Sequence, residues 1–288
     1  SSQSRGLGDV YKRQSYIFSI PGHDKLSEIL DTVLPSDWVF GMARWRNIKL
    51  QRLIYKASKK YPNFMRKLLL SNVKRHVGDG VDMAHFSPSY MPWDERLCAV
   101  PDADLFKDLR DGKASVVTDH IETFTENGIL LKSGRELEAD IIITATGLNL
   151  QVLGGMQLSL NGEPLDVSER MTYKGVLMEG VPNMAWVFGY TNASWTLKAD
   201  IAAAYVCRLL NYLKENRLSV AMPRAECAQP QQDHSIMDAL GSGYVQRSSH
   251  LLPRQGQGHP WRVTNHYAHD SHMLLEEPVE DGFLAFSR

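Results

Sequence analysis

The chain has 288 residues, of which 43% are apolar and 23% charged, and its formal net charge is −1. Those values fit a soluble globular protein of one large or two ordinary domains, and they exclude a disordered chain and a partner selected by overall charge. Apolar runs fall short of the roughly eighteen residues a spanning helix needs, and the longest candidate, 199–213, is interrupted by Asp200, Arg208 and Asn211. Cys98, Cys207 and Cys227 are odd in number and lack C-x-x-C spacing, which fits reduced thiols in a cytoplasmic protein.

Residues 1–14 (SSQSRGLGDVYKRQ) are polar, without hydrophobic period, and read as a foreign, adapter-derived segment. The expectation is that the natural product continues upstream and that this chain is its C-terminal portion. From 15 to about 100 the pattern is mainly helical. Asp37 is placed to cap a helix with Trp38, Met42, Trp45 and Leu53 near one face. After Tyr61-Pro62, Asn63 is placed to cap a second helix, with Phe64, Leu68 and Leu69 pointing inward. Residues 44–75 hold eleven Lys or Arg and no Asp or Glu. Such a run is either a solvated face or a patch for an anionic membrane surface or a cofactor phosphate. Nucleic acid is not expected, because nothing else matches a recognition module.

Beyond Pro101, residues 104–110 read as a short helix and 115–118 as a strand. Residues 121–125, the turn Glu126-Asn127-Gly128 and residues 129–132 form a hairpin pattern, and Ser133-Gly134 turns the chain again into 135–138. This β-meander leads into Ile141-Ile142-Ile143, a run expected to be a strand buried on both faces. It ends in the small-residue turn Ala145-Thr146-Gly147, where a backbone can approach a ligand closely. Nucleotide-binding α/β sheets present their crevice at such an edge.

Asn161-Gly162 marks another turn, and 184–189 reads as a second buried strand. It runs through Tyr190, Thr191, Asn192, Ala193 and Ser194 into a helix expected from about Trp195 to Asn216. Asn192 or Ser194 is its candidate cap, leaving N-terminal amides that favour an electronegative ligand atom. From Leu218 the chain is Pro-, Gln- and His-rich and is expected to be a tail packed over the surface. His259, His266, His269 and His272 lie close in sequence, but without a ligand set of known spacing the reading is a polar surface segment and no metal site. A G-x-S-x-G elbow is absent, so Ser/His/Asp catalysis has no support.

Three stretches go further: YMPWDERLC at 90–98, SGRELEADIIITATGLNLQ at 133–151 and GYTNASWTLKAD at 189–200. On these the chain resembles the Baeyer–Villiger branch of flavin-containing monooxygenases over residues 15 to about 286, nearest to its mycobacterial ethionamide-activating type. The resemblance implies an α/β fold, a fragment of a two-dinucleotide-binding-domain, Rossmann-like flavoprotein with a helical insertion at about 24–95 and a β-meander. It implies that 15–147 is the remainder of the NADPH-binding domain, 148–220 the returning part of the FAD-binding domain and 221–288 a C-terminal tail. The implied cofactors are FAD and NADPH, and the implied reaction carries one oxygen atom of O2, through a C4a-peroxyflavin, into a ketone or onto sulfur.

The resemblance also implies residue roles. Arg96 matches the family's catalytic arginine, a fixed cation suited to anionic oxygen intermediates. Ala145, Thr146 and Gly147 match its ATG turn against the cofactors, and Asn192, Ala193 and Ser194 would bring helix amides to the flavin's pyrimidine edge. Tyr190 and Trp195 are either pocket walls or core. The family's G-x-G-x-x-G loops do not occur in this sequence, so the chain alone is expected to be inactive. Two alternatives stay open: a non-catalytic flavoprotein-like shell that binds a membrane or partner through the basic helices, and a related flavoprotein reductase.

Overall fold

Proline sets the first architectural break. The computed structural model, which describes residues 2–3, 15–95, 97–224, 230–237 and 243–288, places three helices early in the chain: α1 (Lys25–Asp31), α2 (Ser36–Lys60) and α3 (Pro62–Val77). Pro62 occupies the first turn of α3, where its missing N–H costs nothing, and it prevents α2 from running on. The caps expected at Asp37 and Asn63 are corrected by the same logic. Pro35 and Tyr61 hold the cap positions, and neither makes a side-chain cap bond. Asp37 sits in the first turn, where its charge favours the positive helix end.

Helix α3 buries Met65, Leu69, Val73 and Val77, four positions at a constant step of four. Leu69 points inward as expected, but Phe64 and Leu68 lie on the adjacent stripe and are 65% and 53% exposed. On α2, Trp38, Met42, Trp45 and Leu53 share a face, and all four are exposed. The buried residues Val73 and Val77 pack with Phe86, Ala103, Phe106 and Leu109, the last two from α4 (Asp104–Arg110). Strands Ile17–Ile20 and Cys98–Pro101 pair in parallel, Ile17 opposite Cys98, with the helices forming the crossover between them.

The meander is present, with Ile121–Phe124, Gly128–Leu131 and Glu136–Glu138 paired antiparallel in that order. Gly128 is required there, because a Cβ would sit 2.0 Å from the Leu137 carbonyl oxygen. The run that follows differs from expectation. Residues 141–150 form no strand, and Ile141 and Ile143 are 81% and 80% exposed. A strand exists only through its neighbours, and among the described residues none pairs with this segment.

The chain divides into two units, Ser1–Leu148 and Asn149–Arg288. In the second unit a hairpin, Leu158–Leu160 with Glu163–Leu165, turns at Asn161 and Gly162, both with positive φ. Helix α5 (Trp195–Glu215) buries Leu197, Ile201, Tyr205, Leu209 and Leu213 along one stripe. Short α6 (Gly243–Ser248) and α7 (Tyr267–Leu275) follow. The segment beyond Leu218 is not a surface tail. Trp261, Met273, Leu274 and Leu284 belong to the same buried cluster as α5, and Leu284–Ser287 pairs antiparallel with Val220–Pro223. The second expected strand, 184–189, reduces to one bridge between Leu177 and Ala185, with Trp186 buried and Val187 half exposed.

Candidate functional site

Within the first unit, the turn Ala145-Thr146-Gly147 is exposed. Gly147 has φ 124 and open space where a Cβ would stand, so its backbone conformation calls for glycine and the turn is accessible to a ligand. Arg96 lies outside the described residues. The residues before it form a tight turn, with Trp93 at φ 68 and the Asp94 N–H donating to the Met91 carbonyl at 3.1 Å. The Asp94 carboxylate pairs with Lys59 Nζ at 3.0 Å and accepts from the Met91 N–H at 3.1 Å.

In the second unit, Asn192, Ala193 and Ser194 lead directly into α5. Ser194 is the N-cap residue, yet its side chain makes no cap bond and shares a hydrogen bond with Thr196 Oγ1 at 2.8 Å. The first turn therefore opens on solvent at Ser194, Trp195 and Thr196. Asn192 uses its Nδ2 to donate to the Asn265 carbonyl at 3.0 Å, and the Thr191 N–H donates to Asn265 Oδ1 at 3.3 Å. Trp195 packs on Gly189, where a Cβ would lie 2.1 Å from the indole, and its ring stands 5.3 Å from that of Phe188. Tyr190 is buried.

Behind this turn lies a buried polar cluster. Lys198 Nζ contacts Asp270 Oδ2 at 2.8 Å, with both side chains buried. The same oxygen accepts from the Tyr190 hydroxyl at 3.0 Å, and Asp270 Oδ1 accepts from Thr264 Oγ1 at 2.8 Å. Burial holds Lys198 below its ordinary value and the Asp270 carboxylate works against that shift. Burial, reinforced by Asp270, pushes the Tyr190 phenol up. A second pair lies in the same unit, with Lys174 Nζ 3.0 Å from Asp281 in an ionic contact that lacks hydrogen-bond geometry. Its ammonium stands over the rings of Tyr173 and Tyr205 at 5.4 and 5.6 Å.

The histidines have other partners. His259 pairs with Glu277 at 3.0 Å and His272 with Glu276 at 2.7 Å, while His266 caps α7 by accepting from the His269 N–H at 3.2 Å. Among the described residues no group of three or more His, Cys, Asp or Glu is placed to hold a metal. Sequence reasoning missed Lys198 and Asp270. The available signal for the first was a lysine on the apolar stripe of Leu197, Ile201 and Tyr205; for the second there was none.

No family model matches the chain. The chain is 58% identical over 280 residues to MymA of Mycobacterium tuberculosis, named as an FAD-containing monooxygenase, covering 96% of this chain and 56% of that protein. It is 45% identical over 280 residues to the FAD-containing monooxygenase EthA of the same organism, covering 97% and 57%. A solved steroid monooxygenase, oxidised and bound to NADP, superposes on 96% of the chain and 61% of its own length with a TM-score of 0.64 at 15% identity, which shows a shared fold. The chain spans little over half the length of the curated relatives it matches. Over nearly its whole length the chain is similar to the C-terminal part of FAD-containing monooxygenases.

Proposed function

We propose that the chain serves as the C-terminal part of an NADPH- and FAD-dependent monooxygenase that places one oxygen atom of O2 in a small ketone, as a Baeyer–Villiger insertion, or on sulfur. The other oxygen leaves as water, and NADPH supplies the two electrons. The observation that carries this reading is the first turn of α5, exposed and uncapped by its own side chain, inside one of the stretches that carry the flavoprotein resemblance. Open helix amides suit the carbonyl-rich edge of a flavin, where negative charge collects on reduction. Asn192, Ala193 and Ser194 would hold that edge, and the glycine-dependent turn Ala145-Thr146-Gly147 would lie against a cofactor. Bound flavin supplies the redox chemistry that links NADPH to O2.

Arg96 is the catalytic residue in this reading. A guanidinium stays charged whatever the local polarity, and it stabilises negative charge that develops on oxygen. In a protein of the relatives' full length, Arg96→Ala is expected to lower product formation by roughly 100-fold or more while flavin reduction by NADPH continues. Wild-type product yield in that variant overturns the assignment.

A second reading concerns where the enzyme works, and the eleven cations of 44–75 favour it. Helix α2 aligns Trp38, Met42, Trp45, Lys49, Leu53 and Lys56 at helical spacing, with the Lys49 ammonium 5.7 Å over the Trp45 ring. Exposed aromatics interleaved with lysines suit the surface of an anionic bilayer. No helix among the described residues is long and apolar enough to cross a membrane, and the contact proposed is a peripheral one. Sedimentation with anionic vesicles is expected to pull the protein down, neutral vesicles are not, and Lys49→Glu with Lys56→Glu should weaken binding by roughly tenfold or more. Equal binding to both vesicle types, or none, removes this reading.

A further inference from the structure

We infer that Asp270 is a positioning residue that holds the turn 192–194 from behind. This rests on the reading of that turn as the flavin-facing one. The α5 start does not fix itself, since Ser194 makes no side-chain cap bond. Its flanks are instead tied to residues 264–270. Downstream of the turn, Lys198 Nζ reaches Asp270 Oδ2 at 2.8 Å. Upstream, the Tyr190 hydroxyl donates to the same oxygen at 3.0 Å. Thr264 donates to the other carboxylate oxygen at 2.8 Å, and its neighbour Asn265 takes the Thr191 N–H and the Asn192 side-chain amide. His269 Nδ1 lies 3.6 Å from the same carboxylate.

These ties span 72 to 80 residues of sequence, so the turn's orientation depends on the last part of the chain as well as on its local contacts. Asp270 and Lys198 are 2% and 3% exposed. Removing one partner of such a pair strands a buried charge and threatens the whole unit, whereas removing both does not. The double variant therefore separates positioning from mere folding.

The experiment compares wild type with Asp270→Asn/Lys198→Met in a protein of the relatives' full length, reading amide hydrogen exchange by mass spectrometry and FAD dissociation by absorbance. We expect exchange of the 191–197 amides to rise about tenfold or more with the distal half of α5 unchanged, as in a local opening. FAD affinity should fall by about tenfold and the bound flavin's visible spectrum should shift, because a loosened site loses preorganisation. Tyr190→Phe, which removes one tie, should fall between the two. Wild-type exchange at 191–197 in the double variant overturns the proposal, as does exchange raised evenly across the second unit. If the wild-type protein takes up no FAD, the flavin reading fails, and the exchange comparison still decides what Asp270 does.

Discussion

Gly189 and Trp195 make the local case for a turn shaped by close contact. A methyl group at Gly189 would stand 2.1 Å from the indole, so Gly189→Ala must displace Trp195 or the backbone. The expected cost is about 1–3 kcal/mol, read as a lower Tm together with a shifted tryptophan emission. An unchanged Tm and emission would show that the indole does not rest on Gly189. Single residues also mark where sequence reading stopped. Lys198 was missed although it stands as a lysine on a buried stripe, and its partner Asp270 lies 72 residues away where nothing local points to it. Arg96 was reached through family resemblance, and spacing alone would have left it as an ordinary ion pair; the two turns were read from their residues as suited to a ligand, and the resemblance added which cofactor.

At the scale of elements, α1 shows how a cap and an ion pair combine. The Asp24 side chain accepts from the Ser27 N–H and hydroxyl and bonds the Arg46 guanidinium of α2. The Arg46 bond first, then Ser27, holds the Asp24 carboxyl at about 2, below the 3.8 of an ordinary aspartate. A depressed carboxylate contributes fully above the unfolded value and loses its contribution as pH falls from 3.8 toward 2. Carboxyl NMR should therefore find Asp24 titrating near the lower value, and a titration at the ordinary value would remove the bond from solution.

Elements with local signals were legible in outline. The α4 helix at 104–110 and the Glu126-Asn127-Gly128 turn stand where charge, apolar spacing and glycine put them. Elements that depend on neighbours were not. The isoleucine run at 141–143 has the composition of a doubly buried strand, yet it lies exposed because no described strand flanks it. On α3 Leu69 was read correctly but Phe64 and Leu68 were not, since they are as apolar as the Met65 and Val73 that are buried. That core is testable: Phe106→Ala, at a fully buried position, should cost about 3–5 kcal/mol in urea unfolding of the first unit. A change below 1 kcal/mol, roughly the scale of a surface substitution, would contradict the packing.

Across the whole molecule, the last stretch of chain proves structural. Trp261, Met273, Leu274 and Leu284 complete the core around α5; composition hid this, because the same stretch is rich in Pro, Gln and His. Deleting residues 279–288 should abolish cooperative unfolding of the second unit, and a retained transition would mean that those residues are accessory. Burial also raises the Tyr173, Tyr190 and Tyr205 phenols above 10.0. As pH rises past that value the unfolded chain releases protons that the folded chain keeps, so stability falls. Lys198, lowered, acts in the opposite sense with one proton against three. Urea midpoints between pH 8 and 11 should decline at the alkaline end, roughly from the phenol range upward; a rise there would contradict the burial of the tyrosines.

The 58% identity to an FAD-containing monooxygenase over 96% of the chain, and the open α5 turn within it, support the proposed oxygen transfer. The most direct test is to purify a protein of the relatives' full length carrying this chain and measure ester or sulfoxide formed for each NADPH consumed, with a simple ketone or thioether present. The account predicts a yellow protein that yields product in step with NADPH. A colourless protein, or a flavin-loaded one that consumes NADPH and releases only hydrogen peroxide, would contradict it.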